Sequence, residues 1–326
     1  MALTILACHL VLNTVLSVYL SKRTTQDTFV EEKSSKIQHL AMQPNSHRLD
    51  SVFIGDSTTV YHISQAEMKK AGLSTYNLGI SGNSILDYPY LLSAVYPLKP
   101  RSVVINISIA EFFSRVEESQ TLNLVDLLFF REFFSTSELV TVGKQVLTNT
   151  VHFYRLREAI YSTLVNRYRQ FNRVSTVVAS GHEAAPVVLT ADCMIFNKKI
   201  FQHAQSGMCA NGDGVMYGQY HFKKIEQWSF DKLNAEYVAI LNKLITEIEA
   251  NGVMAIVVLQ PVNFGQKRDA AIVKKITDQL QGRRVIDNSS FELSVDMWAD
   301  SGHLNVQGRS LYSQYFSAKL KQMMMR

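Results

Sequence analysis

Asp50-Ser51-Val52-Phe53-Ile54-Gly55-Asp56-Ser57 is a short apolar run that stops abruptly at a glycine. Val52-Phe53-Ile54, three consecutive apolar residues bounded by a turn signal, suit a strand buried on both faces. Downstream, Ser64-Gln65-Ala66-Glu67 has the capping-box pattern, and a helix is expected from there to about Gly72. Tyr76-Asn77-Leu78 reads as a second short strand ending at Gly79. A helix over about 84–96, with Pro89 in its first turns, then leads to the β-branched run from Val103 to Ile109. The same alternation returns near the other end. Residues 231–250 carry Leu233, Tyr237, Ile240, Leu241, Leu244, Ile245 and Ile248 at helical spacing, and Asn251-Gly252 supplies the stop. Val253 to Leu259 follows as a buried strand. A helix at about 266–281, a strand at Arg284-Val285-Ile286 and a last helix over about 305–322 complete the pattern. Strands alternating with helices predict an α/β domain: a parallel sheet flanked by helices on both faces.

Residues 112–228 break this rhythm. They are rich in Phe and Tyr, read as largely helical to about Val174 and as irregular beyond, and form an insertion within a domain spanning 50–326. A lid or partner surface and a plain structural elaboration both fit. The chain holds 326 residues, 47% hydrophobic and 19% charged, which supports a large core and excludes wholesale disorder. Its net charge of +5 is scattered rather than striped, and no nucleic-acid motif is present. No phosphate-binding glycine loop occurs, so nucleotide chemistry is not indicated, and no cofactor is expected. His152, His182, His203 and His221 lack ligand spacing, and no paired cysteines suggest a metal site. Cys193 and Cys209 fit either a disulfide or two separate thiols.

Residues 1–20, MALTILACHLVLNTVLSVYL, are apolar but for His9, Asn13 and a few hydroxyls. About 20 residues at ~1.5 Å each span a ~30 Å hydrocarbon core, so a transmembrane anchor is expected there. Residues 21–49 are polar, charged and weakly periodic, and read as a juxtamembrane stalk, in part helical. Lys22 and Arg23 follow the anchor. The positive-inside rule, taken literally, would place the main domain in the cytoplasm.

Serine ester chemistry needs an exposed hydroxyl, a base, a group that orients the base, and donors for the oxyanion. Ser57, at the carboxyl end of the first strand, would point into the crevice where open α/β sheets bind ligands. Taken alone, Gly55-Asp56-Ser57 is also common in ordinary turns. Asp300-Ser301-Gly302-His303 offers the base and its orienter, and the same stretch also fits a capping Asp300 with a surface His303. Its spacing lets the Asp300 carboxylate reach Nδ1–H of His303 and leaves Nε2 for the serine proton. Asp296 is a second nearby carboxylate of less natural spacing. Gly82, in Asn77-Leu78-Gly79-Ile80-Ser81-Gly82-Asn83, is a candidate oxyanion N–H, and an ordinary β-to-α turn is the alternative. His62, five residues past Ser57, suits either the cleft mouth or a helix edge.

These three segments, in this order, resemble the SGNH/GDSL hydrolase superfamily, over residues 50–111 and 231–322. The resemblance implies a flavodoxin-like parallel sheet, with Ser57 as nucleophile, Gly82 as an oxyanion donor, and Asp300 and His303 as the proton-handling pair. One block departs. Where the family has Gly-x-Asn-Asp, this chain has Ser108-Ile109-Ala110-Glu111, and Ala110 has no side-chain donor. The oxyanion would then rest on backbone N–H groups of Ser57 and Gly82, with Ser108 or Asn83 assisting. That departure, the anchor and Leu259-Gln260-Pro261-Val262-Asn263 make the chain similar to the membrane-anchored SGNH-like proteins of cell-envelope acylation, such as the D-alanyl transfer protein of the teichoic-acid system and the alginate O-acetylation proteins. That similarity implies an extracytoplasmic domain on the cell (inner) membrane and a membrane-bound O-acyltransferase partner. It also implies an acyl donor, a carbohydrate polymer as acceptor, and a Cys193–Cys209 disulfide. It makes Asn263 a candidate for the acceptor cleft, with a turn-forming Asn as the alternative. Three functions follow from the sequence: an O-acyltransferase, a simple esterase, or a non-catalytic scaffold for a membrane acyltransferase.

Overall fold

The computed structural model describes residues 25–42, 48–113, 140, 143, 199–201, 204–208, 212–218, 232–261, 270–280 and 282–325. The expected anchor at 1–20, the helical part of the insertion, Asn263, Cys193 and Cys209 lie outside these residues. The chain divides into two compact units, Met1–Glu31 with Gln120–Leu189, and Glu32–Ser119 with Thr190–Arg326. The sheet, the site and every side-chain contact described below belong to the second unit.

Five strands form its parallel sheet: β1 (Ser51–Gly55), β2 (Thr75–Gly79), β3 (Ser102–Ile107), β7 (Met254–Leu259) and β8 (Arg284–Asp287). Their order is β2-β1-β3-β7-β8, every neighbouring pair parallel. The chain steps outward from β1 to β2, then returns to the other side of β1 at β3. The carboxyl ends of β1 and β3 therefore flank the topological switch point, where this class of sheet opens a crevice. Val52, Phe53, Ile54, Val103, Val104, Ile105 and Ile256 are fully buried, as strands covered on both faces require.

The connections follow the local sequence signals. Asp56 caps α2 (Ser57–His62), and Ser64 caps α3 (Gln65–Lys70) by accepting from Glu67 N–H, half of the expected capping box; Ser64 N–H donates to Ser313 Oγ, not to Glu67. The helix expected over 84–96 begins with a 3-10 turn at Ile85–Asp87 and continues as α4 (Tyr88–Val95), because Pro89 suits the first helical positions. Helices α5 (Ala235–Ala250), α6 (Ala270–Gln279) and α7 (Val306–Met324) follow the predicted periods. Beneath α7, Phe53, Val104, Ile256, Trp298, Tyr312 and Phe316 form one apolar cluster. Burying each such side chain contributes about 1.5–3 kcal/mol.

Two findings differ from the sequence expectation, and a third adds to it. Strand β3 ends at Ile107, not Ile109. There Ser108 Oγ accepts from Ala110 N–H and Glu111 accepts from Ser108 N–H, a capping box that opens a 3-10 turn over Ile109–Phe112. The stretch read as irregular after Val174 contains an antiparallel sheet of β4 (Lys199–Phe201), β5 (Ala204–Met208) and β6 (Gly214–Tyr217). Strands this short carry too few alternations to register in a sequence pattern. The polar segment 21–49 contains α1 (Thr25–Ala41), in which Leu40, Glu32, Lys33 and Lys36 are buried. A solvated stalk would expose such charges; here tertiary partners compensate them. Among the described residues, no helix is long and apolar enough to cross a membrane.

Candidate active site

Ser57 is the first residue of α2, directly after the turn from β1. That turn depends on glycine, because a Cβ at Gly55 would collide with Thr59 Oγ1 and sit 2.9 Å from Asn106 O. Asp56 precedes the serine and holds the turn. Its carboxylate accepts from Thr58 N–H at 2.8 Å and from the Thr58 hydroxyl at 2.5 Å.

His303 Nε2 lies 2.8 Å from Ser57 Oγ. Its Nδ1 lies 2.9 and 2.8 Å from the two oxygens of Asp300. The same carboxylate accepts from the backbone N–H groups of Gly302 (2.7 Å) and His303 (2.8 Å), so Asp300 shapes the loop that presents its partner. Trp298 and Leu304 form an antiparallel bridge, and Ala299 N–H donates to His303 O at 2.9 Å, closing this loop as a small hairpin. Asn305 then caps α7. Burial alone would raise the Asp300 carboxyl, but the hydrogen bond and charge of His303 and the two backbone donors hold it below the usual carboxylate value. It is therefore anionic at neutral pH, which fixes the proton of His303 on Nδ1 and turns the Nε2 lone pair to Ser57. Asp296 is exposed, and among the described residues its backbone oxygen, not its carboxylate, is engaged, by Asn305.

The candidate oxyanion donors lie at the adjoining strand end. Gly55 and Gly79 are register partners, and Ile80 N–H donates to Gly55 O at 3.1 Å. Asn83 N–H closes a turn onto Ile80 O, with Gly82 at φ +70°, where a turn of this kind favours glycine. Neither Ser57 N–H nor Gly82 N–H donates to a protein acceptor among the described residues. Ser57 N–H is one of the unpaired donors at the start of a helix. Ser108 spends a lone pair as a cap acceptor but keeps its O–H. The structure thus brings Ser57, His303 and Asp300 into one hydrogen-bonded series, and places Gly82, Asn83 and Ser108 on the strand-end turns beside it.

Sequence reasoning passed over the layer behind these residues. His62 is buried, not at a cleft mouth: Nδ1 lies 2.6 Å from Gln260 Oε1 and Nε2 3.1 Å from Gly302 O. A neutral ring carries one proton, so it donates to one of these oxygens at a time. Gln260 Nε2 donates to Thr58 Oγ1 at 2.7 Å, linking the serine turn to the histidine loop. Tyr61 meets His303 edge-on, with centroids 5.2 Å apart.

Burial, reinforced by the nearby His303, lowers the His62 pKa to about 3. The unfolded ring takes a proton below about 6.5. Between these values the unfolded chain binds more protons than the folded one, so stability falls as pH drops from 6.5 toward 3, by on the order of 4 kcal/mol. The urea midpoint is expected to fall steeply over that window in the wild-type protein and less steeply in His62→Gln. An equally steep loss in the variant would assign the acid sensitivity to other groups.

No protein-family model matches the chain, and the search of curated proteins found no match. Among solved structures, one from Desulfitobacterium hafniense DCB-2, provisionally named a lipolytic protein of the G-D-S-L family, is similar at 10% identity and a TM-score of 0.36. That likeness covers 82% of this chain and 97% of the other.

Proposed function

We propose that this chain is a serine acyl-ester enzyme that forms an acyl-enzyme on Ser57 and passes the acyl group to a hydroxyl of an envelope or exported polysaccharide. The observation that carries the chemistry is the Ser57–His303–Asp300 series, with 2.8 Å from serine oxygen to imidazole nitrogen. Ser57 Oγ attacks the donor carbonyl as its proton passes to His303 Nε2. The N–H groups of Ser57 and Gly82 are the donors assigned to the oxyanion that forms. Collapse expels the donor alcohol, which takes the proton from His303. The acceptor hydroxyl then repeats both steps in reverse, and Ser57 is regenerated. Asp300 stays ionised and stabilises the imidazolium formed in each half.

The finer parts of the proposal rest on the sequence. The resemblance to membrane-anchored acylation proteins and the apolar run 1–20 support an extracytoplasmic site beside a membrane-bound O-acyltransferase. Ala110 in the family's asparagine position supports slow unassisted hydrolysis, since one oxyanion donor is worth about 10²–10³ in kcat. One observation favours water as the acceptor instead: the His303 side chain is 23% exposed, open to solvent. A partition experiment separates the two. With 4-nitrophenyl acetate and an added oligosaccharide, we expect 4-nitrophenol release to rise with acceptor concentration and acetylated sugar to accumulate. Turnover unaltered by any acceptor, with acetate the sole acyl product, would make the protein an esterase.

A further inference from the structure

The unused buried charges of α1 converge on the turn that carries Gly82. Glu32 and Lys36, one helical turn apart, form an ion pair at 3.2 Å, with side chains 5% and 2% exposed. Lys36 Nζ donates to Gly79 O at 2.6 Å, and Glu32 accepts from Ser81 N–H at 3.4 Å. Gly79 O belongs to the same peptide group as Ile80 N–H, which donates to Gly55 O two residues before Ser57. One peptide plane is thus held by an ammonium at its oxygen and by the nucleophile strand at its nitrogen. The cation polarises that peptide and strengthens its other hydrogen bond. On the far side of the turn, Lys33 Nζ pairs with Asp87 at 3.2 Å, and Asp87 accepts from Ser84 N–H at 2.9 Å. The helix itself is anchored to β2, since Tyr76 OH donates to Lys36 O at 2.9 Å and His39 stacks on Tyr76.

We propose that Glu32, Lys33 and Lys36 are positioning residues of the active site, a charged clamp by which α1 sets the turn Ile80–Asn83 against the nucleophile. This rests on the proposed role of Gly82 as an oxyanion donor. Buried ions are costly even when paired, and apolar side chains would attach a helix at least as well. What ions add is direction. An ammonium on one carbonyl and a carboxylate on the next-but-one N–H fix the orientation of consecutive peptides, which apolar packing does not. Burial pulls the Lys36 pKa down, and Glu32 opposes that pull.

The test compares full-length Lys36→Met and Glu32→Gln with Leu320→Ala, a cavity variant in the α7 cluster, which contains no residue of the turn. With 4-nitrophenyl acetate, Lys36→Met is expected to lower kcat about 10–100-fold with KM within about threefold, because a loosened donor forfeits part of its 10²–10³ contribution. Leu320→Ala, of comparable Tm, is expected to keep kcat within threefold. Should Lys36→Met not fold, amide exchange in Glu32→Gln gives the answer: Ser81 N–H is expected to exchange at least tenfold faster than in the wild type. A kcat in Lys36→Met no lower than in Leu320→Ala, or unchanged Ser81 exchange in Glu32→Gln, overturns the clamp. Ser57→Ala is run alongside. If it retains turnover, the acyl-enzyme reading fails; if it is inactive while Lys36→Met behaves as Leu320→Ala, only the clamp fails.

Discussion

Replacing Ser57 by alanine is expected to lower kcat for 4-nitrophenyl acetate by about 10⁴–10⁶-fold, with a melting temperature close to that of the wild type. Losing the nucleophile of a serine triad removes the covalent route, and what remains is the modest rate that binding and oxyanion donors give to water. Ser57 is only partly buried, and its side chain contacts His303 rather than the core, so the fold loses little. Steady-state kinetics on the purified variant check this. A loss of less than tenfold would mean that the measured turnover does not pass through Ser57.

Asp300→Asn is expected to lower kcat by about 10⁴-fold while Ser57 and His303 remain in place. The amide keeps the shape but presents an N–H where the carboxylate accepted, which favours the imidazole tautomer with its proton on Nε2, facing Ser57. It also withdraws the negative charge that stabilises the imidazolium. Because the same carboxylate accepts from Gly302 and His303 backbone N–H, the retained amide oxygen matters, and Asp300→Ala is expected to cost stability as well. Kinetics paired with nitrogen chemical shifts of the His303 ring read both effects. Normal kcat with an unchanged tautomer in Asp300→Asn would remove Asp300 from the mechanism.

The sheet was readable because its strands need only local information. Val52-Phe53-Ile54 and Val103-Val104-Ile105 are apolar without alternation, and Gly55 and Gly79 end their strands where a side chain would collide with Thr59. The histidine loop was readable for the same reason. Only Ser301 and Gly302 separate Asp300 from His303, and a short loop can close that distance by itself. The end of β3 was also written locally, since Ser108-Ile109-Ala110-Glu111 is a capping box, but the β-branched run concealed it. What escaped the sequence depends on distant partners. Lys33 and Lys36 sit in a polar stretch, and nothing local reveals that Asp87 and Gly79 O, some 40–55 positions away, receive them. The spacing of Glu32 and Lys36 was a weak signal, equally compatible with a solvated helix face. Gln260 and His62, 198 positions apart, meet only because β7 ends beside α2.

Covalent labelling with a fluorophosphonate, followed by peptide mapping, reads the assembled series in one step. The reagent reacts with a serine whose proton a neighbouring base removes and whose adduct the oxyanion donors stabilise. We predict one adduct per chain, on Ser57, formed rapidly in the wild type and slowed at least 10³-fold in His303→Ala. An adduct on another residue, or equal labelling rates in the wild type and His303→Ala, would contradict the assignment of Ser57 and His303 as nucleophile and base.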